Sequence, residues 1–183
     1  MNIFKKMAVM KKLMYEHTDG GGTKRDKLLD IVADIEGQAI IFVDTVSTEN
    51  NELEQVAKSL GIDNCAFMVG NRKNLDSFIE GKKRFLITSY GSGSEGLNLQ
   101  FCSDIIFYGH NFNYMTRSQA YGRIRRYGQE KVCRYHNLYY SNSVEGSYMN
   151  SLARKQSIAE EYEEALDKKK YEDSILLGEN KKC

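Results

Sequence analysis

Proline is absent from the 183 residues, so every turn must be built from Gly, Asn and Ser rather than from a fixed φ. Cysteine is sparse: Cys65, Cys102, Cys133 and Cys183 lie far apart, and none forms a C-x-x-C pair. That spacing argues against a zinc ribbon and a disulfide framework. The apolar runs around Cys65, Cys102 and Cys133 instead suggest small buried thiols. His17, His110 and His136 are the only imidazoles, and no two have metal-site spacing, so no metal centre is expected. No apolar stretch approaches the roughly 20 residues that span a bilayer, and the Lys-rich start lacks the pattern of a signal peptide. The expectation is a cytoplasmic chain without a membrane partner. Charge of one sign is not in excess either: 26 basic residues face 25 acidic ones, so nucleic-acid binding must come from a local patch. One local absence supplies that patch. From Ile105 to Gln129 there is no Asp or Glu, while Arg117, Arg123, Arg125 and Arg126 fall inside the stretch.

Hydrophobic residues make up 41% and charged residues 28%, the profile of a globular protein with one full core. Apolar, β-branched runs occur at Ala39 to Val43, Ala66 to Val69, Phe85 to Thr88, Ile105 to Tyr108 and Val132 to Tyr140. Between them, Leu28, Val32 and Ile35, then Leu53, Val56, Ala57 and Leu60, have helical spacing. Fully buried strands alternating with helices predict a parallel α/β sheet. Thr23 and Asp26 form a capping-box signal for the first of these helices. Three segments follow. Residues 1–22 read as a Met- and Lys-rich amphipathic helix with a glycine linker. Residues 23–172 are the α/β unit with a long final helix from Val144 to about Lys170, and residues 173–183 a frayed tail.

Two motifs carry the chemistry. Placed on a helix, Gln119, Gly122, Arg123 and Arg126 line one face, with two guanidiniums one turn apart. A pair of permanently charged planar forks suits a polyphosphate or a nucleic-acid backbone; a solvated basic face is the plainer alternative. The second motif follows the strand ending at Thr88, where Gly91, Gly93 and Gly96 satisfy G-x-G-x-x-G. A dinucleotide site, and with it a dinucleotide-dependent oxidoreductase, would need an acid about 20 residues further on. Those positions lie in the carboxylate-free stretch. A P-loop would need Lys and Ser or Thr where Leu97 and Asn98 stand. What remains is a loop of small residues opening a helix, whose backbone N–H groups can hold an anion, or an unliganded tight turn.

Taken together, Gly96-Leu97-Asn98-Leu99-Gln100 and the Gln119 to Gln129 segment resemble motifs V and VI of superfamily 2 helicases and translocases, closest to the Snf-like branch. The likeness extends to Lys24 with Leu28 and Leu29, to Gln38 through Asp44 (motif IV), to Gly70 through Phe78, to Ser143 through Glu145, and to Phe4 through Tyr15 as the segment joining two lobes. The sequence departs at Phe112-Asn113-Tyr114, where the family usually has Trp-Asn-Pro, and around Gly109 and His110, where an aspartate is common.

The resemblance implies a RecA-like parallel sheet flanked by helices, a single helicase C-terminal lobe. It implies ATP and Mg2+ held mainly by a P-loop-containing first lobe on another chain or a longer parent. Arg123 and Arg126 would then be the catalytic arginines, with Gln119, Gly93, Ser94, Glu95, Gly96 and Asn98 on the nucleotide-coupling side. Asp44, Thr45, Gly70, Thr88 and Ser89 would approach the nucleic-acid backbone, DNA in the first instance and RNA as the alternative. A bacterial or phage-infected cell, or a nucleus for a eukaryotic chain, is the setting this implies, and the short motif after Gly70 favours a phage-like type. Alone, the chain would not hydrolyse ATP. The reading from another class is a non-catalytic nucleic-acid-binding or regulatory module that keeps the lobe fold.

Overall fold

The computed structural model describes residues 23–44, 52–92, 98–111, 113–140, 143 and 145–154. The expected helix and linker over 1–22, the site residues Thr45, Gly93, Ser94, Glu95 and Gly96, Phe112, and the chain beyond 154 with its expected tail all lie outside the described residues.

The elements are α1 (Lys24–Asp34), β1 (Ala39–Val43), α2 (Glu52–Leu60), a 3-10 turn (Ile62–Asn64), β2 (Cys65–Val69), β3 (Arg72–Lys73), the single turn α3 (Asp76–Ile79), β4 (Phe85–Ser89), β5 (Asp104–Phe107), α4 (Tyr114–Tyr121) and β6 (Arg134–Asn137). The strands form one sheet in the order β3-β2-β4-β1-β5-β6. Every pairing is parallel except β2 with the two-residue β3. The chain divides into two compact units, Met1–Ser143 and Val144–Cys183. In the second, residues 145–154 are helical. Among the described residues no helix is long and apolar enough to cross a membrane.

The continuous apolar runs become central strands because both sheet faces are covered. In β1, Ile41 and Val43 join Leu28, Val32, Val56 and Leu60 of α1 and α2 in one core cluster. Ile40 and Phe42, pointing the other way, join Phe78, Ala120 and Ile124 on the α3 and α4 side. Each strand therefore reads as uniformly hydrophobic although its side chains alternate. Helix α1 starts where the capping box places it: Asp26 N donates to Thr23 Oγ1 at 3.2 Å, and Thr23 N donates to Asp26 Oδ2 at 2.8 Å. Its far end is closed by Arg84, whose guanidinium donates to the carbonyls of Val32 and Ile35.

Four of the five expected strands have other bounds: β2 starts one residue earlier at Cys65, β4 runs one further to Ser89, and β5 and β6 differ at both ends. β5 begins at Asp104 rather than Ile105, because Asp104 is fully buried and its carboxylate is satisfied in place. Arg134 donates to it through Nε (2.7 Å) and Nη2 (2.9 Å), Ser103 Oγ donates at 2.8 Å, and His136 Nε2 lies at 3.2 Å. Burial acts to raise this carboxyl's pKa, but those hydrogen bonds outweigh it and hold the group below the usual carboxylate range. β6 is shorter than the Val132 to Tyr140 run. Its pairing with β5 is bracketed by Arg134 N donating to Ser103 O (2.7 Å) and Leu138 N donating to Phe107 O (3.1 Å). Val132 is left 82% exposed before the strand begins. The thiols of Cys65 and Cys102 are buried as expected, and burial pushes them up to about 11 and about 12, whereas Cys133, expected to be buried with them, is only half-buried.

Candidate functional site

The arginine segment departs from the helix that its spacing suggests. α4 is capped at its start by Asn113, whose Oδ1 accepts from Met115 N (3.0 Å) and Thr116 N (3.3 Å). It ends at Tyr121. Gly122 closes it, with its N–H directed at Ser118 O and Ala120 O. Gln119, Arg123 and Arg126 therefore do not share one helical face; Arg123 and Arg126 sit on the turn that follows.

Side chains explain the break by taking carbonyls that a continued helix would need. Arg126 Nε donates to Gly122 O at 3.2 Å, and Gln129 Nε2 donates to Ile124 O at 3.2 Å. Gly128 then has φ +93°, a left-handed value that ends helical geometry. The same Gln129 amide reaches Gln100 O at 2.8 Å and Cys102 O at 2.7 Å, while its Oε1 accepts from Lys131 N at 2.9 Å. Gln129 thus fastens the arginine turn to the segment leaving the glycine loop. Ile124, fully buried in the same core cluster as Leu99, adds an apolar anchor to the turn.

Within the turn, Arg123 is buried at 7% exposure, whereas Arg126 is exposed. Burial, followed by the like charge of Arg126, lowers the pKa of Arg123. A bound anion would act against both effects. Gln119 is exposed on the last turn of α4, and Asn98 is exposed where the described chain resumes after the glycine loop.

The residues expected at a nucleic-acid backbone form a second group, at the carboxyl ends of β1, β2 and β4. Gly70, with φ +55°, donates its N–H to Ser92 Oγ at 3.3 Å. Ser92 Oγ also lies 3.0 Å from Ser89 Oγ, and Ser92 N donates to Ser89 Oγ at 3.3 Å. Ser92, which the sequence reading passed over, therefore links Gly70 to Ser89; its serine following a glycine was the only signal. Thr88 is buried, and its hydroxyl donates to Met68 O at 3.0 Å, inside the sheet end rather than outward. Asp44 is half-buried just beyond β1, and its N–H donates to Glu52 Oε2 at 2.7 Å. Gly109 faces the same point: a Cβ on it would stand 2.3 Å from Asp44 N and 2.7 Å from Glu52 Oε2. The departure at Gly109 thus fits a crossing too tight for any side chain.

A second missed residue is Arg117. It is fully buried, and its guanidinium lies 4.5 Å from the Phe107 ring centroid. Its fork meets His110 Nδ1 at 2.9 Å, Asn137 Oδ1 and Tyr121 OH. Nothing local distinguishes Arg117 from the neighbouring basic residues in the sequence.

A mostly parallel sheet covered by helices on both faces, with an arginine turn fastened to the segment at Gln100 and Cys102, is the architecture of a RecA-like α/β lobe. Residues 23–128 match the helicase conserved C-terminal domain, and the chain belongs to that family, as a superfamily 2 helicase C-terminal lobe. It is 30% identical over 149 residues to an uncharacterized ATP-dependent helicase, YqhH, of Bacillus subtilis (strain 168). That match covers 79% of this chain and 26% of the relative's length. Among solved structures, the C-terminal part of the Fun30 ATPase domain superposes with a TM-score of 0.59 at 25% identity, covering 73% of this chain and 47% of that one. The Pyrococcus furiosus Hef helicase domain shares the fold with a TM-score of 0.53 at 19% identity, over 71% of this chain and 28% of that one.

Proposed function

We propose that this chain is the second motor lobe of an ATP-dependent DNA helicase or translocase of the Snf-like type, working with a first lobe that carries the P-loop and the Mg2+ site. The observation that carries the reading is the placement of Arg123: a buried arginine, next to the exposed Arg126, on a turn that Gln129 fastens to the segment leaving the glycine loop. Such a pair fits the triphosphate of ATP presented across a cleft, where charge spreads over the transferring phosphoryl oxygens. Arg123 and Arg126 would stabilise that charge, and Gln119 would orient at the same boundary. Gly93, Ser94, Glu95, Gly96 and Asn98 would couple it to the nucleic acid. Asp44, Thr45, Gly70 and Ser89 would lie along the phosphodiester backbone, a contact that positions without reading sequence, while Thr88, expected beside them, is turned into the sheet end and would only support them. The names of YqhH and Fun30 support ATP dependence and a motor context. A bacterial or phage-infected cell is the proposed setting.

The test is ATP turnover, with and without duplex DNA, in a mixture of this chain with a P-loop lobe from the same source or in a longer parent. Turnover should require both lobes. Arg123→Ala should lower kcat about 10³-fold or more, the scale of a lost arginine finger, without abolishing salt-sensitive DNA binding. Robust turnover by the chain alone, or an unchanged kcat in Arg123→Ala, would overturn the reading.

A further inference from the structure

We infer that Arg117 is a positioning residue: it fixes α4 on the sheet and thereby sets where Arg123 is presented. This rests on the proposed role of Arg123. Arg117 is 1% exposed, and its guanidinium is engaged on every edge by a different residue. Nη1 meets Nδ1 of His110, just beyond β5, at 2.9 Å; Nη2 donates to Oδ1 of Asn137 at the end of β6; Nε donates to the hydroxyl of Tyr121, the last residue of α4, at 3.1 Å. Its face lies 4.5 Å from the Phe107 centroid on β5 and 5.5 Å from the Tyr121 centroid. His110 is itself held, with Nε2 donating to Leu138 O at 2.7 Å, which leaves Nδ1 as the acceptor for Arg117. Tyr135 OH closes the arrangement by donating to Tyr121 O at 3.1 Å.

None of these partners is a carboxylate, so the ensemble buries a cation on neutral acceptors and aromatic faces. A buried cation is a poor route to stability, because an apolar side chain of similar volume often serves as well. Geometry is what the guanidinium adds. Its planar fork fixes three directions at once, which neither an ammonium nor a methionine can do. α4 cannot slide or rotate on β5 without breaking the fork. The constraint reaches Arg123 through two backbone bonds, Gly122 N to Ser118 O at 3.1 Å and Arg123 N to Ala120 O at 3.3 Å. A displacement of even 1 Å in a charge-stabilising group is costly to catalysis.

The experiment compares Arg117→Met and Arg117→Lys in the two-lobe mixture or longer parent, alongside Arg123→Ala. Both Arg117 variants should remain folded, with Arg117→Met unfolding at a denaturant concentration near that of the wild type. Their kcat should fall about 10- to 100-fold with KM for ATP changed less than about threefold. Amide exchange at Gly122 and Arg123 should accelerate at least tenfold while β1 and β4 keep their protection. If Arg117→Met does not fold, Arg117→Lys carries the same comparison, since it keeps the charge over Phe107 and loses the fork. The inference is overturned if a folded variant keeps wild-type kcat, or if exchange rises uniformly over the sheet. An Arg123→Ala variant with full turnover would instead sink the assignment of Arg123.

Discussion

Replacing Gln129 tests whether one amide holds the arginine turn in place. Its Nε2 has two hydrogens and three carbonyls in reach. Those of Cys102 at 2.7 Å and Gln100 at 2.8 Å are the close pair, and Ile124 O at 3.2 Å shares a hydrogen. Counting two full bonds at about 1 kcal/mol each, Gln129→Leu should cost about 2 kcal/mol. For a unit of this size that is a fall in Tm of about 4–8 °C. Gln129→Glu preserves the shape but turns a donor into a carboxylate aimed at the same carbonyls, so its loss should be greater at neutral pH. Urea unfolding followed by circular dichroism measures both. Stability within about 0.3 kcal/mol of wild type for Gln129→Leu, or a Gln129→Glu variant as stable as wild type, would show that the turn is held by something else. Because Gln129 ties Arg123 and Arg126 to the segment after the glycine loop, both variants should also lower ATP turnover in the two-lobe assay.

Other outcomes follow from the same geometry. Gly109→Ala would press a methyl group against Asp44 N and the Glu52 carboxylate, so it should destabilise by about 2 kcal/mol or more, read as a reduced urea midpoint. Asp104 has a folded-state pKa below its unfolded value, so its stabilising contribution is present above about pH 4 and is lost as pH falls through the folded value. Acid titration of stability should therefore be flatter in Asp104→Asn than in wild type; equal slopes would refute the assignment. With Cys133 and Cys183 changed to Ser, the native protein should resist a thiol reagent at pH 8, because burial holds Cys65 and Cys102 as thiols, and should react at both after unfolding.

Much of the fold is legible because strands buried on both faces must be apolar throughout. Ala39–Val43 announces itself in that way, as does the run from Phe85 to Thr88, which the strand exceeds by one residue, and Thr23 with Asp26 marks the start of α1 through a bond three residues long. Arg123 is legible as part of a spaced motif. Its burial is not, since Arg123 is followed by Ile124, which enters a core cluster assembled from segments distant in the chain. The end of α4 at Tyr121 is not legible, for a related reason. Helical spacing records which residues could share a face, but Gln129 captures the Ile124 carbonyl only when Gln100 and Cys102 are brought beside it. Ser92 and Arg117 were missed because each acts on residues distant in the chain, Gly70 for one and Asn137 for the other.

The sequence alone settles the class of fold, the presence of five apolar strands, the start of α1, and the motifs that resemble a helicase lobe, because periodicity, capping and spacing act over a few residues. Tertiary structure decides the sheet order, the burial that lowers the pKa of Arg123, the amide fastening of the arginine turn, and the exclusion of any side chain at residue 109. Each of these depends on the desolvation and hydrogen bonding of groups that meet only when β1, β4 and β5 lie side by side.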